Sequence, residues 1–170
     1  MYVPRKLGIA VLLAVVCAGS LALALGASAS RTENSSNKPV FRSSLAPCIA
    51  GGPTVHGVGP CLDSWTLEEG SVRLGEGGKL ELDVEGLVVA ATGTASPVTG
   101  IRAALFCGAD TDTGPAATSG VVPLSPNGDA SIDTTLALPS TCVAPIVVLN
   151  FQKGPALITG RYIALTGFAI

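Results

Sequence analysis

Over much of the chain beyond residue 62, apolar side chains recur at every second position in short stretches. Leu80-Glu81-Leu82-Asp83-Val84-Glu85 alternates strictly. Successive side chains of an extended chain point to opposite faces, so this period of two predicts a strand with one buried and one wet face. Gly86 interrupts it, and Leu87-Val88-Val89 continues as a more fully buried piece. Ahead of it, Gly75-Glu76-Gly77-Gly78 is turn material, because glycine accepts positive φ. Trp65-Thr66-Leu67 and Val72-Arg73-Leu74 lie on the far side of that turn, which predicts a hairpin.

Gly100–Cys107 is the next predicted strand, with Ile101, Ala103, Leu105 and Cys107 sharing a face. Gly114-Pro115 marks a turn. Val121-Val122-Pro123-Leu124 reads as a short edge strand, since proline cannot donate to a ladder. Pro126-Asn127-Gly128-Asp129 is a strong turn signal, and Ala130–Leu138 follows with Ile132, Thr134, Leu136 and Leu138 on one face. Ile146–Leu149 predicts a buried strand, Lys153-Gly154-Pro155 a turn, and Arg161–Ile170 a last strand. No window keeps a 3.6-residue apolar period with caps, so helix is not expected. About seven to eight short antiparallel strands separated by Gly/Pro turns predict an all-β domain, an Ig-like or Greek-key β-sandwich.

The N-terminus reads differently. Arg5 and Lys6 precede an uncharged apolar run from Leu7 to Leu25, and Ala27-Ser28-Ala29 follows with small residues two apart. A charged start, an apolar middle and a small-residue exit predict a secretory signal peptide over residues 1–29. An uncleaved anchor is the rival, because the run approaches the ~20 residues that span a bilayer. Lipid attachment at Cys17 is disfavoured by the valine before it. Residues 30–46, SRTENSSNKPVFRSSLA, are polar and predict a flexible leader. Residues 47–170 then form a single domain. Ala50–Pro60 holds four glycines and two prolines, which predicts a loop.

Loss of the signal leaves eight basic residues against twelve acidic ones. That balance excludes the clustered cations that nucleic-acid binding needs, and it gives an anionic membrane surface nothing to attract. Of five cysteines, Cys17 leaves with the signal. Four thiols in an exported chain predict two disulfides, for which three connectivities exist. Cys107 ends a strand and Cys142 lies in the loop before the Ile146 strand, so these two are paired, which leaves Cys48 with Cys61. A zinc site is disfavoured by the absence of any Cys-x-x-Cys pair and by a single histidine, His56.

Residues 71–167 resemble a family of uncharacterised exported bacterial proteins. The resemblance rests on Val84-Glu85-Gly86-Leu87, on Pro97–Cys107, and on Val122-Pro123-Leu124-Ser125 with Gly128-Asp129-Ala130. It extends to Leu138–Cys142 with Ala144-Pro145, and to Ile163-Ala164-Leu165-Thr166-Gly167. It implies a common disulfide-linked β-sandwich with no assigned activity. A fainter similarity to the chordin-type β-sandwich repeat rests on Val84-Glu85-Gly86-Leu87, but Arg102-Ala103-Ala104 stands where that repeat carries a histidine-containing strand.

Candidate chemistry is sparse. His56 is the only side chain able to serve a Ser-His-Asp or Cys-His arrangement, and it sits in a Gly/Pro loop without a G-x-S-x-G elbow. Glu68-Glu69 and the trio Glu81, Asp83 and Glu85 could supply paired carboxylates, but strand alternation accounts for the trio as a solvated face. Asp110-Thr111-Asp112, with Asp129 joining in space, imitates the opening of a calcium loop. Gly114-Pro115 then breaks the ligand pattern and no closing Glu follows. Trp65 could stack on a sugar, although its size also suits the core and aromatics are only 4% of the chain. Leu138-Pro139-Ser140-Thr141 imitates a sorting motif but continues into Cys142. Asn34-Ser35-Ser36 fits a glycosylation pattern.

The expectation is a secreted, non-enzymatic structural or binding module, extracellular or in the cell envelope. It needs no cofactor, and its partner is an extracellular protein or glycan. The alternatives are a carbohydrate- or surface-binding module using Trp65, and a metal-dependent enzyme or module using Asp110, Asp112, Asp129 and His56.

Overall fold

The computed structural model describes residues 38–109 and 114–167, and every regular element among them is a strand. They are β1 (Pro39–Pro47), β2 (Trp65–Thr66), β3 (Glu69–Gly75), β4 (Lys79–Glu85), β5 (Val88–Val89) and β6 (Val98–Phe106). There follow β7 (Ala117–Thr118), β8 (Val122–Pro123), β9 (Ala130–Thr135), β10 (Ile146–Lys153), β11 (Ala156–Ile158) and β12 (Ala164–Thr166). The all-β expectation holds. A curled antiparallel sheet runs in the order β7-β6-β10-β12-β1-β3-β4-β9, with β11 beside β10 and β8 beside β6, while β2 and β5 form a separate ribbon. The predicted signal peptide, residues 1–29, lies outside the described residues, as do Asp110 and Asp112.

The pattern of β4 translates directly into packing. Leu80, Leu82 and Val84 are buried, with Leu74, Val72 and Ile132 among their cross-strand partners. On the wet face Arg73 meets Glu81 at 3.8 Å and Lys79 pairs with Asp133. Strand β6 departs from simple alternation, because both of its faces are covered. Ile101, Ala103 and Leu105 are buried on one face, and Ala104 and Phe106 on the other.

Residues 39–46 correct the predicted leader, for the folded body begins before residue 47. Strand β1 pairs through Phe41–Ser44 with β3, then through Leu45–Pro47 with β12. It thereby joins the β3-β4-β9 part of the sheet to the β12-β10-β6 part. Its inward positions run Phe41, Ser43 and Leu45, the first two half-buried and Leu45 buried, with a serine where a strand ordinarily shows an apolar residue. Two flanking ladders hold it, with Leu45 in the core and Phe41 packed against it.

Both disulfides are closed. Cys48–Cys61 spans 13 residues with Cα atoms 6.0 Å apart, and Cys107–Cys142 spans 35 with Cα atoms 5.0 Å apart. Other boundaries shift by smaller amounts. Strand β10 extends past Leu149 to Lys153, because the polar Asn150 inside it is itself buried. Strand β12 is short, ending at Thr166.

Candidate functional site

The register of β6 against β10 sets Arg102 opposite Asn150, Ala104 opposite Val148, and Phe106 opposite Ile146. Part of the disulfide-closed loop 48–61 lies against this face. Val55 and Val58 exchange backbone hydrogen bonds of 3.0 and 2.8 Å around His56 and Gly57, both at positive φ (48° and 76°). That is the geometry of a two-residue type I′ turn, and histidine tolerates left-handed backbone better than most residues. The turn stacks the His56 ring on Phe106 with centroids 5.0 Å apart, and His56 is only 3% exposed.

Segment 159–162 anchors the same loop. Arg161 Nη1 donates to the Pro60 carbonyl at 2.7 Å, the Tyr162 hydroxyl donates to the Pro53 carbonyl at 2.8 Å, and Tyr162 N–H donates to the Gly59 carbonyl at 3.0 Å. Burial pushes the Tyr162 hydroxyl above its ordinary pKa of 10.0. The neutral phenol is thus the folded form. Its stabilising contribution is complete below the unfolded value and is lost as pH rises through the higher folded one. Tyr162→Phe is expected to cost about 1 kcal/mol at neutral pH. It should also flatten the stability loss above about pH 10, read as urea midpoints of the two proteins compared across that range.

Two concavities flank the loop. One is a groove of about 810 Å³ where β1 passes from β3 to β12, lined by Phe41, Ser43, Val55, Pro145, Ile146 and Leu165. The other is a cleft of about 260 Å³ bounded by His56, Val58, Arg102, Phe106, Pro115 and Asn150. Asn150, 2% exposed, donates its Nδ2 to the carbonyls of Thr159 (3.2 Å) and Arg161 (3.1 Å). Both of its donors are therefore engaged, and its oxygen faces Arg102, whose Nη2 donates to it at 3.3 Å. The half-buried Arg102 keeps its Nε–H in a fully buried position without a hydrogen-bond partner among the described residues. An unmet donor of this kind ordinarily costs about 1–3 kcal/mol, and more when charged.

The residues singled out in the sequence are dispersed. Asp129 accepts from Gly86 N–H at 3.1 Å and from the Ser125 hydroxyl at 3.1 Å, which closes the turn before β9. Ser125 follows Leu124, whose N–H meets the Thr99 carbonyl near the start of β6, whereas His56 stacks on Phe106 at its end. Seven residue steps along the strand, roughly 23 Å, separate Thr99 from Phe106. Asp129 and His56 therefore do not share a site. Among the described residues no three His, Cys, Asp or Glu side chains come together as a metal-binding group. Trp65 is 6% exposed in the β2–β5 ribbon, opposite Val89, so its indole offers no face to a sugar. Arg102 and Asn150 were not among the sequence candidates, although a charge and an amide inside apolar strand runs are a signal of their own.

Comparison with protein-family models, curated proteins and solved structures finds no match to this chain.

Proposed function

We propose that the chain is an exported, non-enzymatic binding module acting at the cell surface or outside the cell. Two crosslinks within one small domain fit an oxidising compartment. Residues 1–29 are its export signal, and the cleaved product is free of the membrane. The curled sheet is read as a Greek-key sandwich of the immunoglobulin type, with β1 changing layers. The chain takes its place beside the uncharacterised exported proteins that residues 71–167 resemble. Its partner is an extracellular protein or glycan rather than nucleic acid.

The observation that carries this reading is the loop 48–61. It is held by a disulfide and by hydrogen bonds to segment 159–162, and it presents concave surface on both sides. A pre-formed surface of this kind suits binding, because little ordering remains to be done when a ligand arrives.

The purified domain is expected to leave a broad panel of ester, glycoside and peptide substrates intact. Hydrolysis of any of them that disappears with His56→Ala or with a carboxylate substitution contradicts the proposal. Trp65 emission should be that of a buried indole and should stay unchanged on adding cell-wall glycans. A shift that saturates with glycan would return Trp65 to the binding surface.

A further inference from the structure

We infer that the cleft beside Arg102 binds a small organic carboxylate, which rests on the binding-module reading and names its ligand class. Arg102 carries five N–H donors on a planar fork, and the one hydrogen bond it makes among the described residues goes to Asn150. Among the described residues the side-chain ion pairs are Arg73–Glu81 and Lys79–Asp133, and none of the carboxylates among them pairs with Arg102. Asn150 cannot neutralise the guanidinium. Locked by two carbonyls, it supplies an oxygen that sets the plane of the fork. What remains is a fixed, partly desolvated cation in a concavity.

The lining selects the ligand. A carboxylate accepts two parallel N–H bonds from one guanidinium, a match in shape as well as charge. Among the described residues the cleft has no lysine or arginine besides Arg102, and a doubly charged phosphate or sulfate would call for one. Val58, Phe106 and Pro115 supply apolar walls for an organic body. The cleft, about 260 Å³, has room for a carboxyl group on a small organic body.

The test is an NMR titration of the oxidised, purified protein with acetate, butyrate and benzoate, with chloride, sulfate and phosphate as separate arms. The buried Arg102 Nε–H and the Asn150 side-chain amide are the reporters. Both are expected to shift saturably with the carboxylates, with dissociation constants on the order of millimolar that tighten several-fold from acetate to the larger acids. Arg102→Lys keeps the charge but loses the fork, and should weaken binding about tenfold, whereas Arg73→Gln should leave it unchanged. Shifts that merely follow ionic strength, tighter saturation by sulfate or phosphate, or undiminished binding by Arg102→Lys would each overturn the assignment. Should Arg102→Lys fail to fold, the wild-type titration decides alone. Proton spectra of the ligand separate the two readings. Conversion of the bound acid, or of its methyl ester, would overturn the non-enzymatic reading and leave the site. Absent saturation with every ligand intact would remove the site and leave the module.

Discussion

Gly128→Ala is expected to destabilise the domain by roughly 3 kcal/mol or more, among the largest losses from any single exchange of a hydrogen for a methyl group. Gly128 has φ +89°, a left-handed conformation that other residues enter only at a cost. A Cβ there would also lie 2.4 Å from both the amide nitrogen and the carbonyl oxygen of Leu87. Those atoms cannot yield, because Leu87 N–H donates to the Gly128 carbonyl at 3.0 Å and the Leu87 side chain is fully buried. Gly93 is the internal control. It too has positive φ (67°), but a methyl group there would have nothing within 4 Å, so Gly93→Ala should cost only about 1 kcal/mol. Denaturant midpoints of the two variants measure the difference. Equal losses would mean that the Leu87–Gly128 contact is not as close as described.

Removal of the Cys107–Cys142 crosslink, by serine at both positions, should cost about 4 kcal/mol, and removal of Cys48–Cys61 about 3 kcal/mol. The order follows from loop length, since 35 residues of unfolded chain are restrained by the first bond and 13 by the second. Domains of this size are stable by only ~5–15 kcal/mol, so the longer link supplies a large share. Cys107 directly follows β6, and the Gly108 N–H reaches the Val143 carbonyl at 2.7 Å across the link. Loss of the bond thus also loosens the end of the β6–β10 ladder that carries Phe106 and Ile146. Thermal unfolding under non-reducing conditions tests the ranking. A larger loss on opening Cys48–Cys61 would contradict it.

Much of the sheet was legible because its strands obey period two. Leu80–Glu85 and Ala130–Thr135 pair as their alternation requires, with Leu82 opposite Ile132. The turns were legible as well, since Gly78 and Gly128 both adopt positive φ. Strand β1 was not. Its inward positions include Ser43, and what places them is the pairing with β3 and β12, a long-range property that composition does not encode. The His56-Gly57 dipeptide between Val55 and Val58 carried an unread hairpin signal inside a segment dominated by glycine and proline. The cleft was legible only in parts. Arg102 and Asn150 each stand out in an apolar run, but their meeting depends on the β6–β10 register, which the two runs leave undetermined because both are apolar on both faces.

The central claim is that one strand, β1, ties the two parts of the curled sheet together beside a crosslinked loop. Amide hydrogen exchange over residues 39–47 tests it most directly. Protection of the hydrogen-bonded amides in this segment comparable to that of Glu69–Gly75 is the predicted result. Exchange at unprotected rates throughout 39–47, while Lys79–Glu85 stays protected, would contradict it.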